Sequence, residues 1–178
     1  MLRDFSLKFI DIMIGVVLGI GFQWWGDLRE TWQFIAFLFV YLNLVDYWID
    51  YSPTVKRFPL KREIDVILHT YILFMMFYIV YATKLSISSF LVGYILYRVG
   101  DLFWIWRMFK EYKEKKRDKK FLFGWLGSDV FEIAVCAVLL LINLNFQIAP
   151  LALLLIFIVL RLASRILASV YYKEVYYE

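Results

Sequence analysis

Between Ser86 and Phe109 the chain holds an apolar run long enough to cross a bilayer, and inside that run Arg98 and Asp101 stand three residues apart. This spacing sets both charges on one helical face. A charge in hydrocarbon is costly, so it turns toward other helices or water and needs a partner. The remaining apolar segments also carry ionisable residues, at related positions. The chain therefore reads as an all-α integral membrane protein of six transmembrane helices with a polar cluster in its interior.

Composition points the same way. Of 178 residues, 63% are hydrophobic, and the mean hydropathy is +0.68. At about 20 residues per crossing, six spans use most of the chain, so residues 1–178 are expected to form one transmembrane domain. The first apolar run is flanked by Asp4 and Asp11 with no small-residue cleavage site after it, which favours a retained helix over a signal peptide. A single cysteine, Cys136, leaves no internal disulfide. Aromatic residues gather at the span ends, as interfacial belts do.

The apolar periodicity predicts helices at about 9–26, 31–51, 63–83, 86–109, 126–146 and 149–171. The first carries Asp11, Gly15 and Gly19 on one face, a small-residue stripe suited to close helix packing or to lining a narrow path. The second carries Asn43, Asp46 and Asp50 on one face and is expected to end at Ser52-Pro53. The third opens with Glu63, Asp65 and the only histidine, His69. Asp65 and His69 are four residues apart, so they read as an interfacial hydrogen-bonded pair or as a proton site, His69 titrating near neutrality. The fifth holds Asp129 and Glu132. The sixth follows Pro150 and holds Arg161, Ser164 and Arg165.

Residues 107–120 form a basic extension of the fourth helix, expected to meet anionic lipid headgroups. Fifteen Lys and Arg residues flank one set of span ends, against two (Arg29 and Lys84) on the other. The positive-inside rule then puts both termini in the cytoplasm of a cell-membrane protein.

Two markers repeat. Asp11, Asp65 and Asp129 open the odd helices at steps of 54 and 64 residues. Asn43, Arg98 and Arg161, each followed three residues on by Asp46, Asp101 and Ser164, mark the even helices at steps of 55 and 63. The pattern suggests three related helical hairpins. It also sets Asp11, Asp46, Asp65, Arg98, Asp101, Asp129, Glu132, Arg161 and Arg165 in one half of the bundle and leaves the other half apolar. Arg98 and Arg161 lie too deep to snorkel, and Glu132, Asp46 and Asp101 are their expected partners. Such a cluster is either an ion-pair network that fixes helix register or a cation-attracting vestibule below an apolar constriction.

No phosphate-binding glycine loop, His-Glu-x-x-His, cysteine pair or Gly-x-Ser-x-Gly is present. One histidine and one cysteine cannot build a multi-His or multi-Cys metal site. No enzyme activity, cofactor, metal or nucleic-acid partner is expected.

Phe9-Ile10-Asp11, Tyr47-Trp48-Ile49-Asp50 and the hairpin from Leu139 to Leu155 resemble, in position and layout, the six-helix domain of the lysosomal-type potassium channel family. Ile10 stands where that family has serine, and the family's paired histidines are absent. The resemblance implies a homo-oligomeric channel for a monovalent cation, with the first helix at the pore, Ile14, Leu18 and Phe22 at the constriction and Asp11 at the mouth. The competing expectation is a non-conducting membrane subunit that binds a partner or anionic lipid.

Overall fold

The computed structural model describes residues 2–112 and 116–176, and these fold into six α-helices with no strand among them. They are α1 (Leu2–Phe22), α2 (Thr31–Arg57), α3 (Glu63–Ala82), α4 (Ile87–Glu111), α5 (Lys116–Phe146) and α6 (Pro150–Tyr176), with a 3-10 turn (Gln23–Asp27) after α1. Five segments are long and apolar enough to cross a membrane: Lys8–Asp27, Thr31–Arg57, Glu63–Ala82, Asp118–Phe146 and Pro150–Tyr171. α4 is outside this set; its apolar run is interrupted by Arg98 and Asp101 and by serine, glycine and tyrosine residues. It is nonetheless deeply packed, with Phe90, Leu91, Ile105 and Met108 all buried.

Helix starts are fixed locally. The Gln33 side chain accepts hydrogen bonds from the backbone N–H groups of Arg29 (2.7 Å) and Glu30 (3.0 Å) at the head of α2. Asp65 does the same for Lys61 (3.1 Å) and Arg62 (3.0 Å) at α3. Ser86 caps α4 by accepting from the Ser89 N–H. Each satisfies amide groups that have no partner within the helix. Pro150 opens α6, where a missing N–H costs nothing.

Several boundaries differ from the sequence expectation: α1 starts at Leu2 rather than near 9, α6 runs to Tyr176 rather than to about 171, and the end of α2 and the start of α5 also shift. Pro53 does not end α2, which continues to Arg57. An interior proline costs about 3 kcal/mol or more. The extra turns bury Thr54, Val55 and the following Phe58, and the Thr54 hydroxyl donates to the Asp50 carbonyl at 2.6 Å. The basic segment is mostly helix as well. α5 starts ten residues before the expected position because Phe121 and Leu122 are buried there, with Phe121 against Trp125 and Phe123 against Phe109. Residues 113–115 of the expected 107–120 extension lie outside the described residues.

Helices α3, α4, α5 and α6 pack as successive antiparallel neighbours. α1 lies against α2 and α3, and α2 meets α6 across the bundle. The α3–α4 approach depends on Gly100, where an added Cβ would stand 2.8 Å from the Tyr71 ring. Gly15 and Gly19 behave differently: no atom comes within 4 Å of either Cβ position. Among the described residues, no other element packs closely against that stripe.

The bundle divides along its length. One half is closed by Phe39, Phe90, Leu91, Tyr94, Leu153, Leu154 and Phe157, all buried, with Phe157 edge-on to Phe39, Phe90 and Tyr94. The other half holds the interior charges.

Candidate functional site

Four helices supply the interior cluster: α2 (Asp46, Asp50), α4 (Arg98, Asp101), α5 (Asp129, Glu132) and α6 (Arg161, Arg165). The deepest cation is Arg98, only 5% exposed. Its Nη1 donates to Asp101 Oδ2 at 2.8 Å and to the Tyr97 hydroxyl at 3.3 Å, and its Nε donates to Glu132 Oε2 at 2.7 Å. The same Nη1 lies 3.1 Å from Asp129 Oδ1. Three carboxylates thus surround one guanidinium.

Glu132 bridges to the next cation, its Oε1 lying 3.0 Å from Arg161 Nε. That N–H is not aimed at the carboxylate and makes no hydrogen bond with any described residue, so the contact is Coulombic. Ser128 donates to Glu132 at 3.3 Å and shares a hydrogen bond with Ser164 at 2.8 Å. Toward the bundle surface, Arg165 grips Asp46 with two bonds, 2.9 Å from Nε and 3.0 Å from Nη2, and also reaches Asp50. Arg161 lies 3.9 Å from Asp46. The pairs Asp46/Asp50 and Arg161/Arg165 share an i,i+4 spacing, which sets them as matching rungs on two helices that run the same way.

The cluster grades from buried to open. Asp101, Asp129, Glu132, Arg98 and Arg161 are all buried, whereas the Asp46 and Asp50 side chains keep 40% and 19% of their surface exposed. A cavity of about 40 Å³ runs between Asp129, Arg98, Tyr97 and Tyr47 on one side and Asp46, Asp50, Arg161 and Arg165 on the other. Asp129 is 0% exposed, and neither of its oxygens accepts a hydrogen bond from any described residue. Among the described residues, no three of His, Cys, Asp and Glu converge as a metal site.

Several expected site residues lie elsewhere. Asp11 is exposed and accepts a hydrogen bond from Trp48 Nε1 at 2.8 Å. Asp65 is buried at the α3 end against Arg107, 2.7 Å away. It does not meet His69, whose Nε2 instead sits 3.3 Å from the Tyr51 hydroxyl, beside Trp104. Just past the end of α4, Tyr112 donates to the Pro59 carbonyl. Burial, with Glu111 and Asp65 nearby, pushes its phenol up to about 12. Ile14 is buried in the chain's own core, Leu18 is half-buried and Phe22 is 60% exposed. These three share no open face. The open face of α1 carries Ile12, Gly15, Val16 and Gly19.

The residues that sequence reasoning passed over are Tyr97 and Ser128, while Asp50, placed by its spacing on the same face as Asp46, joins the cluster through Arg165.

The chain matches no protein-family model, and neither curated proteins nor solved structures match it. The likeness to the potassium channel family rests on the sequence pattern alone.

Proposed function

We propose that this is a six-span integral membrane protein, with α4 as the sixth span, that moves a cation by way of the interior cluster. One observation carries the reading. Five carboxylates (Asp46, Asp50, Asp101, Asp129 and Glu132) share the cluster with three arginines, beside a cavity. A surplus of buried negative charge is expensive unless a cation accompanies it. Above the cluster, the packed ring of Phe90, Tyr94 and Phe157 offers an apolar barrier of the kind that gates ion paths. The excess of Lys and Arg at the span ends nearest the cluster supports a cytoplasmic position for it.

Flux from liposomes holding the purified protein tests this, with potassium, sodium and proton gradients imposed separately. The reading expects protein-dependent movement of one of these cations, lost in Glu132→Gln. Folded, monodisperse protein that passes none of the three would end it.

A second reading, a non-conducting lipid-binding subunit, is favoured by a groove of about 490 Å³ between α2 and α6. Ile35, Leu38, Leu42, Ile158 and Leu162 form its apolar length, and Asp46, Arg161 and Arg165 its polar end. Such a shape fits an acyl chain and its headgroup. A stoichiometric lipid retained through purification, together with no flux, would favour it.

A further inference from the structure

We infer that Asp129 holds an exchangeable proton, which makes the proton the cation that this cluster binds. The inference deepens the proposed function and rests on it only for the claim that the ion moves. Protonation itself has a separate readout.

The argument begins with the part of the cluster that is sealed. Arg98 and Arg161 supply two positive charges there, and Asp101, Asp129 and Glu132 supply three negative ones. Asp46, Asp50 and Arg165 belong to the more open rung, where water can screen any surplus. The sealed set becomes electroneutral with one proton.

Hydrogen bonding identifies which acid carries it. Asp101 accepts from Arg98 at 2.8 Å. Glu132 accepts from Arg98 at 2.7 Å and from Ser128 at 3.3 Å, and touches Arg161. A carboxylate so supplied with donors is stabilised as the anion. Asp129 accepts none from any described residue, although it is wholly buried and lies 3.1 Å from Arg98. An ionised carboxylate at this position has the poorest solvation of the three.

The charged and titratable groups around Asp129 come from every helix packed there. They are Arg98, Asp101 and Tyr97 on α4, Glu132 on its own helix, Arg161 and Arg165 on α6, and Tyr47, Asp46 and Asp50 on α2. An alkali cation would need several oxygen ligands at once. The Arg98 guanidinium occupies the space between these carboxylates, leaving no such arrangement. A proton needs one oxygen only. On release it passes to water, for which the cavity has room. The residual carboxylate then leans on Arg98, and the cavity lining leads from Asp129 to the open Asp46 and Asp50.

The test is the infrared spectrum of the protein reconstituted in lipid at neutral pH. Wild type is expected to show the carbonyl stretch of a neutral carboxylic acid. Asp129→Asn should remove that band, and Asp129→Glu should keep it at a shifted frequency. A wild type with no such band, a band that survives Asp129→Asn, or one that does not move in Asp129→Glu would overturn the inference. Should Asp129→Asn fail to fold, the wild-type band and its shift in Asp129→Glu still decide. Proton uptake into dye-loaded liposomes should fall at least tenfold in Asp129→Asn. A wild type with the band but without proton uptake would uphold the protonated Asp129 and sink the transport reading instead.

Discussion

Replacing Arg98 by glutamine is the most demanding perturbation of the cluster. At an effective dielectric constant of about 20, each of its contacts with the ionised Asp101 and Glu132, at 2.8 and 2.7 Å, is an attraction of roughly 6 kcal/mol. Desolvating the ions takes back much of this, so the pairs add little net stability compared with apolar residues of similar volume. Removing one partner is a different matter, because the remaining charges stay buried. In Arg98→Gln, the ionised Asp101 and Glu132 would share Arg161 as their only sealed cation, with Asp129 beside them. The expected loss is about 3–5 kcal/mol, or roughly two to almost four decades in the folding equilibrium. Reversible unfolding in mixed micelles, followed by circular dichroism, measures it. Adding Glu132→Gln to Arg98→Gln removes one stranded charge and should recover at least about 1 kcal/mol relative to additivity. Arg98→Gln within about 1 kcal/mol of wild type, or strict additivity in the double variant, would refute the reasoning, since either would mean that the carboxylates do not depend on Arg98.

Asp129→Asn mimics the protonated acid and should unfold within about 1 kcal/mol of wild type. Glu132→Gln breaks contacts to both Arg98 and Arg161 and should lose about 3–5 kcal/mol in the same assay. Gly100→Ala drives a methyl group to 2.8 Å from the Tyr71 ring and should cost about 1–3 kcal/mol, whereas Gly15→Ala, which meets nothing within 4 Å, should cost no more than about 0.5 kcal/mol. Tyr112→Phe removes the hydroxyl donated to the Pro59 carbonyl and should lose about 0.5–1.5 kcal/mol, read from its thermal unfolding against wild type.

The helix pattern was legible because apolar runs of this length leave few alternatives, and because the charges inside them recur at matched depth. The gathering of Arg98, Asp101, Glu132, Arg161 and Asp46 followed from the same logic: deep charges need partners. What periodicity could not supply was three-dimensional competition. Asp65 sits four residues from His69, yet the amides at the head of α3 and Arg107 on α4 claim its carboxylate. Pro53 looked like a helix end until Val55 and Phe58 found core to fill. The Gly15/Gly19 stripe stood out in the sequence yet meets no other described element closely, while at Gly100, hidden between Arg98 and Asp101, an added Cβ would stand 2.8 Å from the Tyr71 ring. A glycine's role depends on its neighbour across the interface, which local sequence does not contain. The two sealed positive and three sealed negative charges could not be separated from the open rung by sequence either, because α2 and α6 meet only through the fold.

The most direct test of the central claim compares wild type with Asp129→Asn in liposomes under an imposed pH gradient, with potassium and sodium gradients as parallel arms. The account predicts proton uptake by wild type, at least tenfold less by the variant, at equal reconstitution and with both proteins folded. Equal proton uptake by the two, or none by either, would contradict it.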